Sequence, residues 1–538
     1  MNQEKLPVLV CGAGPTGLMA ACQLSLHGIP FRIIDKSASA TTQSRALVLH
    51  ARTLEIFEQM GIADKALALG EICDGATWVF SGKEVATVTV FGENLTKFPY
   101  ILCLEQSKTE ELLINFLSTQ GYAVEREVEL INYVADEQGV TVSLRKADGS
   151  DETVLADYII GADGAHSVVR EKMGLHMDGA TYLQTLFVID CQVEANIRPR
   201  EIYITISDSG LIGFFPMVQS HDKINEGHHR YRVLGVLPAA EKDKTLIFEE
   251  IEKNFSERVG MPAKIYDAAW ISTYHAHHRH AKTFRQARCF IVGDAAHIHS
   301  PVGGQGMNTG LQDAYNLIWK LDLVLKGKAR DVLLNTFNQE RMAVAKKLVE
   351  STDKMFYMVA GESVLIKKLR LSVMPWVLRL FNVFAHRSKS LSQAIFSTIS
   401  QIGIKYSDSA LSRDASWGNF PRQAPLPGER CPFVYFEEKG EQKNIQNYLQ
   451  GTTFHWFIFS KNNFDKNTCL SPEILSYEDI LSIHYIPYSS DTKELYEAFG
   501  IVDSGYYLIR PDMYIACRSA SLDIVHLGNY LARFLTKS

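Results

Sequence analysis

The sequence has few of the features that mark secreted, zinc-binding or nucleic-acid-binding proteins. Its nine cysteines are an odd number scattered over 538 residues, with no C-x-x-C pair and no spacing typical of a disulfide framework. Its 55 Lys and Arg against 61 Asp and Glu give a net charge of -6, so no general attraction to nucleic acid or to an anionic membrane is expected. We therefore predict a reduced, cytoplasmic protein with no nucleic-acid partner.

Long uncharged apolar stretches are also scarce, and the one prominent example spans residues 6–31. Glycines and prolines interrupt it, and it leads into a β-prone segment that ends in an acid, which argues against a signal peptide or a membrane span. We see no internal repeat and no low-complexity tract. Because the chain is longer than the usual domain of about 100 to 200 residues, we expect a globular protein of several domains without stable membrane insertion.

The uncharged stretch has the pattern of a strand, a glycine turn and a helix. PVLVC at 7–11 is β-prone, GAGPTG at 12–17 follows, and an apolar helical segment runs to Gly28. A second β-prone segment at 31–34 ends in Asp35, 23 residues after Gly12. Such glycines let backbone N–H groups approach a pyrophosphate, and such an acid accepts hydrogen bonds from a ribose. The pattern predicts dinucleotide binding without distinguishing FAD from NAD.

Two further glycine-rich loops follow apolar strand-like segments. The first is in DYIIGADGAHSVVR at 157–170, and the second is in GDAAHIHSPVGGQGMNTG at 293–310, before an apolar helical segment that begins near Leu311. Glycines at 303, 304 and 306 leave backbone amides bare near the start of that helix, where negative charge is stabilised. Three such loops in this order predict one shared cofactor site.

These motifs resemble those of the FAD-dependent aromatic hydroxylases typified by para-hydroxybenzoate hydroxylase and phenol hydroxylase. GAGPTG resembles the ADP-binding motif of that family, GADGAHSVVR its second motif, and GDAAHIHSPVGGQGMNTGLQDAYNLIWKL its third motif almost letter for letter. Residues 44–61 and 104–113 resemble the two segments whose arginine and glutamine contact the flavin, here Arg45 and Gln106. The resemblance covers nearly the whole chain, and it implies bound FAD and a transient NADPH or NADH donor.

The resemblance also implies a role for each motif. The glycine turn would hold the pyrophosphate, Asp35 the ribose and Asp294 the ribityl chain, while Asp163 would support the cofactor indirectly and touch the nicotinamide donor. The backbone of 303–308 would face the isoalloxazine ring. The implied cofactor-binding residues are Gly12, Gly14, Pro15, Thr16, Gly17, Asp35, Lys36, Arg45, Gln106, Asp163, Asp294, Gly306, Met307 and Asn308. The implied catalytic positions are Pro301, whose carbonyl would face the substrate, Gly303 and Gly304.

The implied reaction is the hydroxylation of a phenolic or polycyclic aromatic substrate. NAD(P)H reduces FAD, O2 adds to the reduced flavin, and the flavin hydroperoxide passes OH to the ring. No metal is needed, but water must be excluded so that the hydroperoxide does not decay to hydrogen peroxide. We identify no general base among Tyr203, Tyr231 and His277. A flavin-binding scaffold or sensor of the same fold without turnover is the alternative, and a halogenase is disfavoured because no W-x-W-x-I-P segment occurs.

The predicted fold is α/β, with a Rossmann-like FAD-binding domain. Its first part spans 1–175 and its second part 281–355, and a sheet-rich substrate domain at 176–280 is inserted between them. Period-two alternation places Phe215 and Met217 on one face of a strand in that domain, as candidate walls of the substrate pocket. The four histidines of YHAHHRHA at 274–281 are not expected to bind a metal, because no carboxylate or cysteine accompanies them.

The last third of the chain is predicted to hold a helical segment at 356–415 and a thioredoxin-like α/β domain at 416–538 that lacks C-x-x-C. Residues 364–389 are basic and amphipathic. Docking on a membrane surface is one interpretation, but we favour a helix pair packed on the flavin domain, interrupted at Pro375, with Lys and Arg facing solvent. LIRPDMYIACR resembles the closing hairpin of the thioredoxin-like domain, although Met513 replaces a usual turn glycine and Cys517 a usual aromatic residue. Homodimerisation is left open.

Overall fold

The computed structural model describes residues 5–41, 46–89, 92–207, 210–219, 229–237, 247–301, 303–361, 363–438, 440–461 and 471–537. Arg45, one of the predicted flavin-contacting residues, lies outside these ranges. Within them, no helix combines the length and the apolar character that crossing a membrane requires.

The elements up to residue 172 include both strands and helices. They are β1 (Leu6–Cys11), α1 (Pro15–Leu26), β2 (Phe31–Asp35), β3 (Val48–Leu49), α2 (Ala51–Gln59), α3 (Ala63–Leu69), β4 (Glu71–Cys73), β5 (Gly75–Phe80), β6 (Lys83–Thr89), β7 (Ile101–Cys103), α4 (Gln106–Thr119), β8 (Glu125–Arg126), β9 (Glu129–Ala135), β10 (Val140–Arg145), β11 (Asp151–Gly161) and α5 (Val168–Lys172).

The middle of the chain is rich in strands and the segment after it is helical. The elements are β12 (Met177–Ala195), β13 (Glu201–Ser207), β14 (Gly210–Pro216), β15 (His229–Val236), α6 (Phe248–Lys253), α7 (Phe255–Val259), β16 (Ala263–Ala281), β17 (Arg285–Gln286), β18 (Cys289–Ile291), β19 (His297–Ile298), α8 (Gly306–Leu325), α9 (Val332–Ala360), α10 (Val364–Ser372), α11 (Met374–Arg387) and α12 (Lys389–Ile399).

The C-terminal elements are β20 (Ser416–Trp417), β21 (Tyr435–Glu438), β22 (Glu441–Asn444), β23 (Phe454–Ser460), α13 (Pro472–Leu475), β24 (Leu481–Pro487), α14 (Lys493–Phe499), β25 (Ser504–Ile509), β26 (Ile515–Ser519) and α15 (Val525–Phe534). Short 3-10 helices lie at Gly293–Ala295, Ile445–Tyr448 and Glu478–Ile480.

The first sheet has the strand order β17-β18-β11-β1-β2-β8, and β10 and β9 continue antiparallel from β11. Strands β18, β11, β1, β2 and β8 are parallel. Strand β1 is apolar along its length because it lies between two neighbours and is buried from Val8 onwards. In such open parallel sheets, ligands bind beyond the carboxyl ends of the strands, where the glycine loops after β1, β11 and β18 are found.

The second sheet has the order β19-β16-β12-β15-β14-β13-β5-β6. Its two longest strands, β12 and β16, pair antiparallel from Met177 opposite Ala281 to Ala195 opposite Ala263. Strands β5 and β6 come from within the predicted first part of the FAD-binding domain, so this sheet is not contiguous in sequence. The predicted α/β class, with a parallel sheet and an inserted sheet-rich region, is confirmed, while the boundaries of the five predicted segments stay predictions.

The C-terminal sheet has the order β20-β26-β25-β23-β24, with β25 antiparallel to both of its neighbours. The predicted closing hairpin is present as β25 and β26. Met513 adopts the left-handed conformation, with φ of 65°, that the usual turn glycine would take without strain. Its sulfur lies 3.8 Å from Nη1 of Arg52, so a contact with another part of the chain accompanies the unusual turn. The thioredoxin-like character of this domain stays a prediction.

Candidate active site

The glycine turn after β1 depends on close approach at two of its glycines. Gly12 has φ of 99°, and a Cβ there would lie 2.3 Å from the carbonyl oxygen of Ala162. A Cβ on Gly17 would lie 1.9 Å from the carbonyl oxygen of Gly12. Gly14, the N-cap of α1, differs because a Cβ there would meet nothing within 4 Å. The open space in front of α1 therefore suits a phosphate, which the N-terminal N–H groups of a helix bind.

Asp35 ends β2 beside this turn. Its carboxylate accepts hydrogen bonds from the backbone N–H of Ala13, at 2.7 Å, and of Ser37, at 2.8 Å. Arg126 lies 3.8 Å from the same carboxylate, and the neighbouring Lys36 is exposed. The structure thus places the predicted ribose-binding acid directly against the predicted pyrophosphate turn.

Thr16 brings the first and third motifs into contact. A Cβ on Gly293 would lie 2.5 Å from Oγ1 of Thr16, and a Cβ on Gly310 would lie 2.3 Å from the same atom. Helices α1 and α8 pack together at this point because Gly293 and Gly310 have no side chain that would collide with Thr16. Asp294, predicted to bind the ribityl chain, is exposed in the 3-10 helix that begins at Gly293.

The second motif reaches the third motif through Arg170. Its Nη1 donates to the carbonyl of Ala295 at 3.1 Å, and its Nη2 donates to the carbonyl of Ala165 at 2.8 Å. Asp163 stabilises the turn between them by accepting hydrogen bonds from Oγ of Ser167, at 2.5 Å, and from N–H of Val169, at 3.2 Å. Burial raises the pKa of the Asp163 carboxyl. The three predicted motifs therefore meet at one place.

The loop at 303–308 is fixed by Asn308. The side-chain amide of Asn308 donates to the carbonyls of Val48, at 2.8 Å, and of Gly304, at 2.9 Å. Its oxygen accepts hydrogen bonds from N–H of His50, at 2.9 Å, and from Oγ1 of Thr53, at 2.7 Å. Asn308 thus binds the loop to the segment between β3 and α2 through its side chain. Gly306 begins α8, and Met307 is partly buried in the core beside it.

The predicted catalytic positions form the turn that precedes α8. The backbone N–H of Gly304 donates to the carbonyl of Pro301 at 3.0 Å. Gly303 and Gly304 have φ of 82° and 61°, and a Cβ on Gly304 would lie 2.9 Å from Cβ of Val48. A carbonyl oxygen has two lone pairs, and among the described residues only the N–H of Gly304 donates to that of Pro301. One acceptor position therefore remains there with respect to this part of the chain.

His50 contacts this turn and was not predicted from the sequence. Its Nε2 donates to the carbonyl of Gly303 at 2.9 Å, so Nε2 carries the proton. Burial lowers the pKa of His50 to about 4, which keeps the ring neutral at neutral pH. The residue lies inside the 44–61 segment that the resemblance singles out, but a single histidine before a helix gives no signal of its own.

A second unpredicted group lies beneath the third motif. The buried carboxylate of Asp313 contacts Nε2 of His297 at 2.7 Å and accepts hydrogen bonds from N–H of Gly293, at 3.0 Å, and from Nε of Arg341, at 2.7 Å. Although burial raises the pKa of Asp313, His297 and Arg341 lower it by more. A single acid in the apolar helix LQDAYNLIWKL was the available signal, because a buried carboxylate needs partners.

Gln106 is placed beside Ala46, the residue that follows Arg45 in the sequence. Its side-chain Oε1 accepts a hydrogen bond from the backbone N–H of Ala46 at 3.3 Å. The backbone N–H of Gln106 donates to the carbonyl of Ala46 at 3.0 Å. Its Nε2 donates to Glu110 at 2.9 Å. Gln106 therefore orients the chain directly after Arg45.

Phe215 and Met217 pack in one cluster near the glycine loop. The cluster also contains Leu47 and Val48, and Val48 lies against Gly304. The side chain of Met217 is buried and that of Phe215 is partly buried. The structure thus brings both predicted pocket-wall residues next to the segment that the glycine loop contacts, while their contact with a substrate stays a prediction.

Two of the remaining titratable candidates, Tyr203 and His277, have hydrogen-bond partners. The hydroxyl of Tyr203 accepts a hydrogen bond from N–H of Arg198 at 2.9 Å, and burial raises the pKa of Tyr231. Nδ1 of His277 lies 2.9 Å from Oγ1 of Thr181 across the β12–β16 pair. Within the described ranges, no three His, Cys, Asp or Glu side chains are grouped as a metal site would require.

Comparison with known proteins identifies the family. The FAD binding domain family matches residues 5–352, which is more than half of the chain and includes all three motifs. The chain is an FAD-dependent aromatic hydroxylase of the para-hydroxybenzoate hydroxylase family. The predicted FAD cofactor and the predicted monooxygenase activity of this hydroxylase are confirmed by the match and by its named relatives.

The hydroxylase is similar to relatives over different lengths. It is 30% identical over 523 residues to 6-methylpretetramide 4-monooxygenase of Streptomyces rimosus, with 95% of this chain and 90% of that protein covered. It is 31% identical over 360 residues to pentachlorophenol 4-monooxygenase of Sphingobium chlorophenolicum, with 66% of this chain and 65% of that protein covered. Its fold matches a crystal structure of the flavin-dependent monooxygenase PieE in complex with FAD and substrate, with a TM-score of 0.81 and 23% identity. The match covers 98% of this chain and 99% of that chain.

Proposed function

We propose that this hydroxylase acts on a polycyclic phenol, with NADPH or NADH as electron donor and O2 as oxidant. The match to 6-methylpretetramide 4-monooxygenase carries the proposal, because it extends over 95% of the chain. It therefore includes the second sheet and the C-terminal sheet. The match to pentachlorophenol 4-monooxygenase covers only 66% of the chain. Relatives named as monooxygenases also favour an enzyme over a flavin-binding scaffold.

The residues present fit FAD. The open space at Gly14 leaves room for a pyrophosphate at the start of α1, and Asp35 lies beside it. Gly303 and Gly304 have no side chain, so the backbone of the loop before α8 is accessible at these two positions, where both residues adopt a positive φ. Bound FAD would supply the oxygen activation, and helix α8, which begins at Gly306, would direct its positive N-terminus at it.

We assign the cofactor contacts by motif. Residues Gly12, Gly14, Pro15, Thr16 and Gly17 form the pyrophosphate turn, Asp35 and Lys36 lie at the ribose, and Asp294 lies at the ribityl chain. The flavin ring is assigned to the 303–308 backbone with Gly306, Met307 and Asn308, and to Arg45 and Gln106. Asp163 supports the cofactor indirectly, because its hydrogen bonds with Ser167 and Val169 hold the turn of the second motif. The convergence of the three motifs at Thr16 and Arg170 supports these assignments.

The hydroxylase must orient the substrate and exclude water from it. We assign orientation to the carbonyl of Pro301, which has one lone pair left to accept the phenol O–H. We assign water exclusion to Phe215 and Met217, whose apolar cluster borders the loop. His50 acts as a positioning residue, because its hydrogen bond fixes the carbonyl of Gly303.

We further propose that the hydroxylase is cytoplasmic. The eight cysteines in the described ranges are free and buried thiols, which supports a reducing compartment. Homodimerisation stays an open question.

The proposed function is tested with purified protein. We expect an absorbance spectrum of bound FAD, and polycyclic phenols should accelerate NADPH or NADH oxidation and yield a product heavier by one oxygen atom. Single-ring phenols serve as the comparison. Bound FAD without stimulation by any phenol would instead identify the scaffold, and preferential turnover of single-ring phenols would refute the polycyclic assignment.

A further inference from the structure

Helices α10 and α11 expose apolar side chains that a soluble domain ordinarily buries. The exposed apolar residues include Leu365, Leu369, Trp376, Val377, Leu380 and Phe384. Leu365 is 77%, Trp376 65% and Phe384 59% exposed. The spacing of Trp376, Val377, Leu380 and Phe384 places them on one side of α11. The helix contacts β6, the edge strand of the second sheet. Because these four side chains are exposed, the side of α11 that they form is largely left uncovered by that contact.

The same helical region, with the first residue of α12, carries positive charge without compensation from its own segment. The exposed basic residues are Lys367, Lys368, Arg379, Arg387 and Lys389. The sequence from 363 to 407 contains no Asp or Glu, although the whole chain has a net charge of -6. We call these eleven exposed side chains the apolar-basic face. The favoured expectation of a solvent face formed by Lys and Arg is therefore incomplete, because large apolar residues share that face.

We propose that the apolar-basic face docks the hydroxylase on the surface of an anionic lipid bilayer. Apolar residues on one side of a helix enter the boundary between headgroups and acyl chains, and neighbouring Lys and Arg bind anionic headgroups. The guanidinium of Arg379 lies 5.6 Å from the ring centroid of Trp376, so a headgroup-binding cation and an interfacial aromatic ring are held side by side. This inference goes beyond the proposed reaction and does not depend on it.

Charge distinguishes this occupant from a second copy of the chain. A two-fold contact between two apolar-basic faces would bring like charges together and remove them from water, which is unfavourable. An anionic bilayer neutralises the same charges while it covers the apolar side chains. The helices are too short and too charged to span the bilayer, so they would lie in its surface.

Vesicle cosedimentation of the full-length, FAD-loaded protein tests the proposal. We expect binding to vesicles of phosphatidylglycerol and phosphatidylcholine, weaker binding at high salt, and little binding to phosphatidylcholine alone. The K367E/K368E/R379E variant should bind the anionic vesicles on the order of a hundredfold more weakly, because each basic residue near such a surface contributes about 1 kcal/mol. The W376S/F384S variant should also lose binding.

Matched variants control for net charge and for surface polarity. K65E/K172E/K264E makes the same charge change at exposed lysines elsewhere, and L183S/V525S removes exposed apolar side chains elsewhere. Both should bind like the unmodified protein, and all variants should retain the FAD spectrum. Equal loss in the control variants, or equal binding to neutral vesicles, would overturn the proposal. So would a dimer in sedimentation velocity that W376S/F384S dissociates, without any vesicle binding.

Discussion

Arg510 and Glu340 join the C-terminal sheet region to helix α9 through two parallel hydrogen bonds of 2.7 and 2.9 Å. Both side chains are fully buried. Glu340 also accepts a hydrogen bond from Nζ of Lys320 at 2.7 Å, so one carboxylate serves two buried cations. Although burial raises the pKa of Glu340, Arg510 and Lys320 hold it well below its ordinary value. The contact therefore fixes the last domain to the helices behind the flavin site.

Removing the charge of Glu340 should destabilise the hydroxylase. E340Q leaves the buried cation of Lys320 without its carboxylate and leaves Arg510 with the carboxylate of Asp512 alone. Breaking a buried ion pair of this kind costs about 3 to 5 kcal/mol. We expect a lower midpoint of thermal unfolding at a fixed scan rate. E473Q, at an exposed pair between Glu473 and Lys537, is the matched control and should change the midpoint little. Equal shifts in the two variants would contradict the argument.

Two glycines of the first turn should respond differently to alanine. G17A places a Cβ 1.9 Å from the carbonyl of Gly12, so it should destabilise the folded protein by about 3 kcal/mol or more. G14A meets nothing within 4 Å and should leave the stability of the FAD-free protein unchanged. Because its methyl group stands where the pyrophosphate is proposed to lie, G14A should weaken FAD binding by about 10- to 100-fold. Thermal unfolding of the FAD-free protein and FAD titration by fluorescence separate the two effects.

His50 should make stability depend on pH in the acidic range. Its pKa is lowered by burial from 6.5 to about 4, so the unfolded chain binds a proton that the folded chain does not. The contribution of His50 to the free energy of unfolding is fully present above pH 6.5. It falls by about 3 kcal/mol as the pH decreases towards 4.

The variant H50Q isolates this contribution, because its amide can still donate to the carbonyl of Gly303 but does not titrate. Burial lowers the pKa of His299 to about 4 as well, so the informative quantity is the difference between H50Q and the unmodified protein. We expect a flatter loss of unfolding free energy between pH 6.5 and 4 in H50Q, measured by denaturant titration. Parallel pH profiles would show that His50 is not responsible.

Phe215 should govern coupling between NAD(P)H oxidation and product formation. F215A opens the cluster that borders the glycine loop, so water should enter and hydrogen peroxide should increase at the expense of product. We expect about a tenfold rise in KM for the phenol from the lost apolar contact, with FAD still bound. The readouts are product and peroxide per NAD(P)H consumed. L183A, at an 85% exposed leucine, is the control. An unchanged product yield in F215A would remove Phe215 from the pocket wall.

The local elements of this hydroxylase were predictable because they depend on neighbours in sequence. The strand, turn and helix at 7–27 follow from a β-prone run, glycines and an apolar helical segment, and all three are present. The break near Pro375 is present between α10 and α11, with the proline in the first turn, where its missing N–H is not needed. The acid after β2 was predictable for the same reason, since its spacing from Gly12 is a property of one strand–helix–strand unit.

Other features were decided by contacts between distant segments. His50 meets Gly303 across 253 positions, and Arg510 meets Glu340 across 170, so neither pair leaves a pattern within any local window. The pairing of β5 with β13, which draws residues 75–89 into the second sheet, is likewise set by the tertiary fold.

The sequence by itself determined the cofactor motifs and the α/β class, because glycine positions and the hydrophobic patterns of strands and helices are local consequences of backbone sterics and side-chain polarity. The chemistry followed from the resemblance of those motifs to the FAD-dependent aromatic hydroxylases. Only the tertiary structure decided which buried charges find partners and which apolar side chains stay exposed. The reason is physical: burial and ion pairing depend on what the rest of the chain places opposite a residue, and the helical period of α11 is the same whether its apolar side faces the core, a lipid surface or water.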